Sequence, residues 1–260
     1  MNKVDHPGFI AVICGLKSEA AVVKKSVDGD KIRIGISGAD AGRAYELARA
    51  ASQDGAAAVI SIGVSGGLDP ALKSGDLVIG SEVIADDSGE RFAADPYLLR
   101  ILASSFETPT SLHPEERRRR VSKGEGKLAP QDEGIIGALF GSDAIIQSAE
   151  HKSALFYNHN AIAVDMESHG AARAAAEFSA PFIAIRAIAD PADRALPKAA
   201  MNAVAPDGST RVLATLLETA KAPGQFPALM QLGSDSEKAL NTLRRDLGPL
   251  LGGLFLALDL

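Results

Sequence analysis

The chain has 260 residues, 46% of them hydrophobic and 23% charged. That suits one core near the ~250–300-residue limit of a single domain and excludes wholesale disorder. The formal net charge of −6 argues against a nucleic-acid binder, because a phosphate backbone wants a basic face.

Met1–Gly8 is polar, and the apolar run after it is too short for a secretory signal. No stretch approaches the ~18 uninterrupted apolar residues of a membrane span. Phe9–Cys14 (FIAVIC) reads as a buried strand. The lone cysteine within it rules out a disulfide framework, reads as a small buried hydrophobe, and fits a reducing cytoplasm. A helix follows over Ser18–Lys25, then an alternating strand over Lys31–Ser37. Gly38–Gly42 leads into an Ala-rich helix that runs to about Ser52. Ala57–Ile62 is a third buried strand and ends at a Gly-rich turn, Gly63–Gly67. Asp76–Ile79 reads as a strand and Pro96–Ser105 as a helix. Glu107–Asp132, with its run from Glu115 to Arg120, reads as a surface excursion whose mixed charges form a solvated face.

Regular patterning returns with an apolar run over Gly134–Phe140, a helix over Ser148–Asn158 and a short strand over Ala161–Val164. An Ala-rich helix covers Glu167–Phe178. Pro181–Ile188 is an apolar strand interrupted by Arg186. Asp207-Gly208-Ser209 supplies capping chemistry for a helix over Ser209–Lys221. Strands alternating with helices predict an α/β fold whose sheet is covered on both faces.

The pattern divides the chain into an α/β domain, residues 1–222, and a helical extension, residues 223–260. In the extension Ala239, Leu240, Leu243, Leu247, Leu251, Leu254 and Leu258 recur at helical steps, and Gly248-Pro249 predicts a kink. Two uses of this face stay open. Lys238, Arg244 and Arg245 can rest on anionic headgroups while Leu240, Leu243, Leu247 and Leu254 meet the acyl boundary, a peripheral membrane contact. Alternatively, the leucines bury on the domain or across a dimer axis.

The chemistry-bearing residues cluster at strand ends. Glu167 follows one buried strand at a helix start, and Asp190 follows another. Neighbouring strand ends in an open α/β sheet face one crevice, where ligands bind. Singly, Glu167 could merely complement a helix dipole and Asp190 could be a turn residue before Pro191. Arg186, in an apolar strand, needs an anionic partner, because an unpaired buried charge is costly. His169 reads as a helix-surface residue. No histidine and cysteine spacing suits a metal.

Three motifs in order resemble the nucleoside phosphorylase and nucleosidase superfamily. Val164-Asp165-Met166-Glu167 is similar to its V-E-M-E motif, Arg186-Ala187-Ile188-Ala189-Asp190 to its R-A-I-S-D strand, and Gly63–Leu68 with Lys73–Val78 to its Gly-rich segment. The likeness covers about residues 9–220. It implies a three-layer α/β/α sandwich with a central mixed sheet, and cleavage of the N-glycosidic bond of an adenosine derivative. By this resemblance Asp190 is the general acid at purine N7, Glu167 holds the ribose hydroxyls, and Met166 packs beneath the sugar. Ile145 and Ile146 lie by the base.

The nucleophile stays open between water and inorganic phosphate, the latter an optional co-substrate. For water, Glu19 is the base. For phosphate, Gly15, Gly63, Val64, Ser65 and Gly66 form a nest, and Arg186 or Arg43 supplies the cation. Val64 and Ala189 stand where the nucleosidases carry serines. The segments CGLKSEA, GVSGGLDPAL, FGSDAIIQSAEHK and PGQFPAL, with an LRRDL helix, resemble the hopanoid-associated phosphorylases. That implies adenosylhopane as substrate and adenine as product. No cofactor and no metal is implied. The expected partners are a nucleoside or nucleosyl-lipid substrate and further copies of the chain in a homodimer or larger homo-oligomer. The expected location is the cytoplasm, or the periphery of the inner membrane. One alternative is an adenosine-type nucleosidase hydrolysing methylthioadenosine, S-adenosylhomocysteine or deoxyadenosine; a silent nucleoside-binding protein is the alternative of another class, against which the presence of both carboxylates speaks.

Overall fold

A computed structural model describes residues 8–27, 29–106, 134–197, 204–210, 224 and 226–260. The excursion expected at 107–132 and nearly all of the helix expected at 209–221 lie outside the described residues.

The apolar runs build one mixed sheet. Its strands are β1 (Ile10–Cys14), β2 (Ile32–Ile36), β3 (Ala58–Gly67), β4 (Leu77–Ala85), β5 (Arg91–Ala93), β6 (Ile135–Gly141), β7 (Ala161–Asp165) and β8 (Phe182–Asp190). β1 lies between β2 and β3, parallel to both. β8 runs parallel to β3 and antiparallel to β4. β4, β6 and β7 are parallel neighbours, and β7 returns antiparallel to the end of β3. The pairings β3–β8–β4–β6–β7–β3 therefore close a ring, with β5 on the outer edge of β4.

Ring closure corrects two expectations. Gly63–Gly67 is the second half of β3 rather than a turn, because Gly66 and Gly67 pair with Val164 and Ala163. A Cβ on Gly66 would stand 3.2 Å from the Val164 side chain, and one on Gly67 3.3 Å from that of Ile188. Here glycine lets strands approach. Asp190 is likewise the last residue of β8, paired with Gly66, not a turn residue beyond it.

Helices cover both faces, giving the three-layer α/β/α sandwich. Strand alternation sends Ile10, Val12, Ile60, Ile62, Ile183 and Ile185 to one face. There they meet α1 (Lys17–Ser26), α3 (Pro96–Ser104) and α6 (Phe226–Ala257). Ala11, Ile13, Val59 and Ala184 point the other way, against α2 (Ala41–Gln53) and α5 (Ser168–Glu177). α2 and α5 pack through alanines, and a Cβ on Gly170 would fall on the Ala41 carbonyl. α4 (Ala149–His159) buries Leu155 and Phe156 against Phe140 and Val164 at the closed end.

The extension belongs to this core. Leu243, Leu247, Leu250, Leu251 and Leu254 are buried, the helix packing against β3, β4 and β8, and α6 continues through Pro249. The expectation that Leu243, Leu247 and Leu254 meet an acyl boundary is thus overturned, since the sheet face already covers them. The basic residues are engaged on their own helix, Lys238 with Asp235, Arg244 with Glu237 and Arg245 with Asp246. No helix among the described residues is long and apolar enough to cross a membrane. Leu247→Ala should destabilise the protein by about 2–5 kcal/mol, the range for emptying a buried leucine site, read from urea unfolding. Truncation after Gly233 should lower the melting temperature, and an unchanged melt would return the extension to the surface.

Candidate active site

The ends of β1, β7 and β8 and the glycine half of β3 surround a cavity of about 260 Å³. Glu19, Glu167 and Asp190 line it, together with Val64, Ser65 and Gly66. Ile145, Ile146 and Met166 add apolar wall. Gly15 and Gly63 stand behind the carboxylates. A Cβ on Gly15 would fall on the Glu167 carboxylate, and one on Gly63 would lie 2.9 Å from Glu19 Oε1. These glycines make room for acids rather than lining the space themselves.

Glu167 is held by its neighbours in sequence. The Asp165 carboxylate accepts the N–H groups of Glu167 at 2.8 Å and Ser168 at 2.7 Å, and the Ser168 hydroxyl donates to its other oxygen. This turn starts α5 and puts Glu167 at its N-cap position. Beneath it Arg186, 1% exposed, donates to Ser61 Oγ at 2.7 Å and Ser168 Oγ at 2.9 Å. Its Nε lies 3.2 Å from Asp165, and its Nη2 3.8 Å from Glu167. Its anionic partners are thus Asp165 first and Glu167 second.

Glu19, at 3% exposure, accepts two backbone N–H groups. Val64 donates to Oε1 and Leu16 to Oε2, both at 2.8 Å. The N–H of Val64 in the Gly-rich strand is therefore already engaged by a side chain of the protein itself. Asp190 receives the ammonium of Lys152, a residue with 0% exposure.

Burial sets the protonation of this group. It lifts Glu167 to about 8, helped by the nearby Asp165 and opposed by Arg186. It also raises Glu19, against the two N–H donors, and Asp190, against Lys152. Burial acts on Asp165 in the same direction, but there Arg186 and the Ser168 donors outweigh it and hold the carboxyl below its ordinary range. Such a cavity can offer a proton at Asp190, hold hydroxyls or a developing cation at Glu167, and deprotonate a nucleophile at Glu19.

Two expected placements fail. Arg43 does not line the cavity, and its guanidinium is exposed and donates to the Pro206 carbonyl. His169 is not a surface residue. It is buried beside Gly141, with Nε2 3.1 Å from Asp143. Sequence reasoning missed Lys152 and the anchoring role of Asp165. It also missed the apolar wall from Leu16, Ala39, Val204 and Leu232. The Asp165-x-x-Ser168 spacing, a turn-and-cap signature, was the available signal for one of them. A helical lysine carries none, because lysines are almost never buried.

A mixed sheet closed at one end, with acids gathered at its strand ends, defines an enzyme of the nucleoside phosphorylase or N-glycosyl hydrolase type. Residues 32–220 match the family model of the phosphorylase superfamily, and the chain belongs to that superfamily. The fold is similar to that of 5′-methylthioadenosine/S-adenosylhomocysteine nucleosidase from Neisseria meningitidis, with 19% identity, TM-score 0.63, and 94% of this chain and 98% of that one covered. The nucleosidase of that name from Colwellia psychrerythraea, solved with adenine, has 17% identity, TM-score 0.65, and 96% of each chain covered. Futalosine hydrolase from Helicobacter pylori has 15% identity and TM-score 0.62, with 94% and 97% covered.

The Glu167 shift makes stability depend on pH. Between its ordinary value of 4.5 and about 8 the folded state holds a proton that the unfolded chain has lost. Stability therefore falls as pH rises through that window. Glu167→Gln removes this titration while keeping the shape. Melting temperatures measured from about pH 5 to about pH 8 should fall less steeply in the variant than in the wild type.

Proposed function

We propose that the enzyme hydrolyses the N-glycosidic bond of an adenosine-type nucleoside, with water as the nucleophile. The observation that carries this reading is the position of Glu19. Its carboxylate takes the N–H of Val64, one of the donors expected to hold a phosphate, together with that of Leu16. Arg186 is sealed under Asp165 and Glu167, and Arg43 is engaged outside the cavity. Among the described lining residues every ionisable group is a carboxyl, so a phosphate dianion would find no counter-charge among them.

In the reaction Asp190 gives its proton to N7 as the C1′–N9 bond breaks, so the base leaves neutral. Glu167 accepts hydrogen bonds from the ribose hydroxyls and faces the cationic sugar, and Met166 packs against the ring. Glu19 takes one proton from water as its oxygen bonds to C1′. Ile145 and Ile146 flank the base. Adenine is the favoured purine, on the likeness of CGLKSEA to the adenosine-type enzymes and on the Colwellia nucleosidase solved with adenine. The apolar Leu16, Ala39, Val204 and Leu232 suit a 5′ substituent without charge. Methylthioadenosine lies at the small end of that class and adenosylhopane at the large end.

The test is adenine release from both compounds in phosphate-free buffer. The wild type should turn over fully, give a free sugar, and gain nothing from added phosphate. Glu19→Gln should lose about 10²–10⁴-fold in kcat, the range of general acid–base catalysis. A sugar 1-phosphate product with rate proportional to phosphate would replace hydrolysis by phosphorolysis.

A further inference from the structure

Lys152 enters none of the steps above, yet it is among the most deeply buried side chains in the protein. It sits in the first turns of α4, where Ser148 caps the helix by accepting the His151 N–H. From there the ammonium reaches the segment after β8. It donates to Asp190 Oδ2, to the Pro191 carbonyl at 2.9 Å and to the Arg194 carbonyl at 3.0 Å. An ammonium has three N–H donors, and all three are satisfied. A buried lysine with complete partners is retained for its charge and geometry together, since an apolar residue would fill the volume without the desolvation cost.

We propose that Lys152 is the positioning residue of the general acid: it holds Asp190 by Oδ2, so that Oδ1 delivers the proton, and it neutralises the carboxylate that delivery creates. The proposal rests on the reading of Asp190 as the acid. In the step, the Oδ1–H bond breaks and the N7–H bond forms. The electron pair stays on Asp190, whose new charge faces the ammonium, and Lys152 remains protonated throughout. Burial alone would make Asp190 too weak an acid, holding its proton as the leaving group develops charge. Lys152 draws it back toward release, and the two opposed influences are both present at this carboxyl. Among the described residues, the other charged groups around Asp190 are Arg194 on the following segment and Asp235 of α6. These two pair with each other, and Gln231 and Lys238 also donate to Asp235. Across the cavity stand Glu19 and Glu167. Lys152 is therefore, among the described residues, the cation in direct contact with the acid.

The experiment compares pH–rate profiles of wild type, Lys152→Met, Lys152→Arg and Asp190→Asn, with folding checked by thermal melts. A rate that needs protonated Asp190 falls as pH rises above its pKa, so Asp190 sets a descending limb. Removing the ammonium raises that pKa. In Lys152→Met the limb should move up by about one to three pH units, the usual effect of one close opposite charge. The plateau kcat should drop by about 10–100-fold with KM little changed. Lys152→Arg, which keeps the charge, should restore the limb and most of the rate. Asp190→Asn should remove the limb and about 10²–10⁴-fold of rate. If Lys152→Met does not fold, Lys152→Gln repeats the test, since its amide can still serve a carbonyl but carries no charge. A neutral variant whose limb stays in place, whatever its rate, overturns the role of Lys152 alone. Near-normal turnover by Asp190→Asn overturns the acid assignment and this proposal with it.

Discussion

The structure is organised around an excess of buried negative charge. Glu19, Asp165, Glu167 and Asp190 are all under 9% exposed and share one cavity, while two buried cations, Arg186 and Lys152, stand behind it. With every group ionised the cluster would carry two uncompensated charges in a medium of low dielectric, which is prohibitive. Burial accordingly raises three of these carboxyls, Glu19, Glu167 and Asp190. Arg186 sets the exception, because its closest contacts hold Asp165 ionised while Glu167, farther from it, rises to about 8. The anchoring acid is held charged while burial raises the other cavity carboxyls, so one guanidinium separates the structural carboxylate from the rest.

That arrangement explains features of the fold that the sheet alone does not require. Arg186 lies mid-strand in β8, between Ile185 and Ala187, and is tolerated because Ser61 of β3 and Ser168 of α5 supply acceptors from both sides. Gly15 and Gly63 lack side chains where Glu167 and Glu19 lie against the backbone. Gly66 and Gly67 let β7 close on β3, and that closure brings Asp165 and Asp190 to one rim. The long α6 seals the opposite face and contributes Leu232 to the cavity, so the last helix is part of the scaffold that positions the site.

Much of this was legible in the residues. Short apolar runs such as FIAVIC and PFIAIRAI announce buried strands because both their faces are covered, and the layered architecture follows from their alternation with helices. Glu167 and Asp190 were legible as a pair, being acids at strand ends within familiar motifs. Less visible was anything that depends on where a third element passes. Gly63–Gly67 reads as a turn because glycine breaks strands, until β7 is seen to need the space. The leucines of α6 fit a lipid surface and a sheet face equally well, since periodicity reports an apolar face and not what covers it. Lys152, at the end of FGSDAIIQSAEHK, looks like a solvated helix residue, and only the return of the chain after β8 surrounds it with acceptors. His169 is misread for the same reason, its cover coming from Gly141 of β6.

The choice of nucleophile follows from the same charge excess. On the proposed reading, a cavity whose described lining residues include carboxyls and no cation stabilises a cationic sugar more than a neutral nucleoside, and this difference between states accelerates bond cleavage. Water adds no charge to such a site, and the proton it sheds has a ready acceptor in Glu19. Phosphate would add up to two negative charges, and the N–H of Val64, one of the donors expected to hold it, already binds a carboxylate tethered to the chain. A tethered anion loses no translational freedom on making that contact, whereas a free one must. To admit phosphate, Glu19 would have to be neutral or withdrawn and a cation would have to enter from elsewhere. On the proposed reading, the shortage of cations among the described lining residues that favours the oxocarbenium-like sugar also disfavours an anionic nucleophile. In this reading hydrolysis and transition-state stabilisation are two consequences of one electrostatic design.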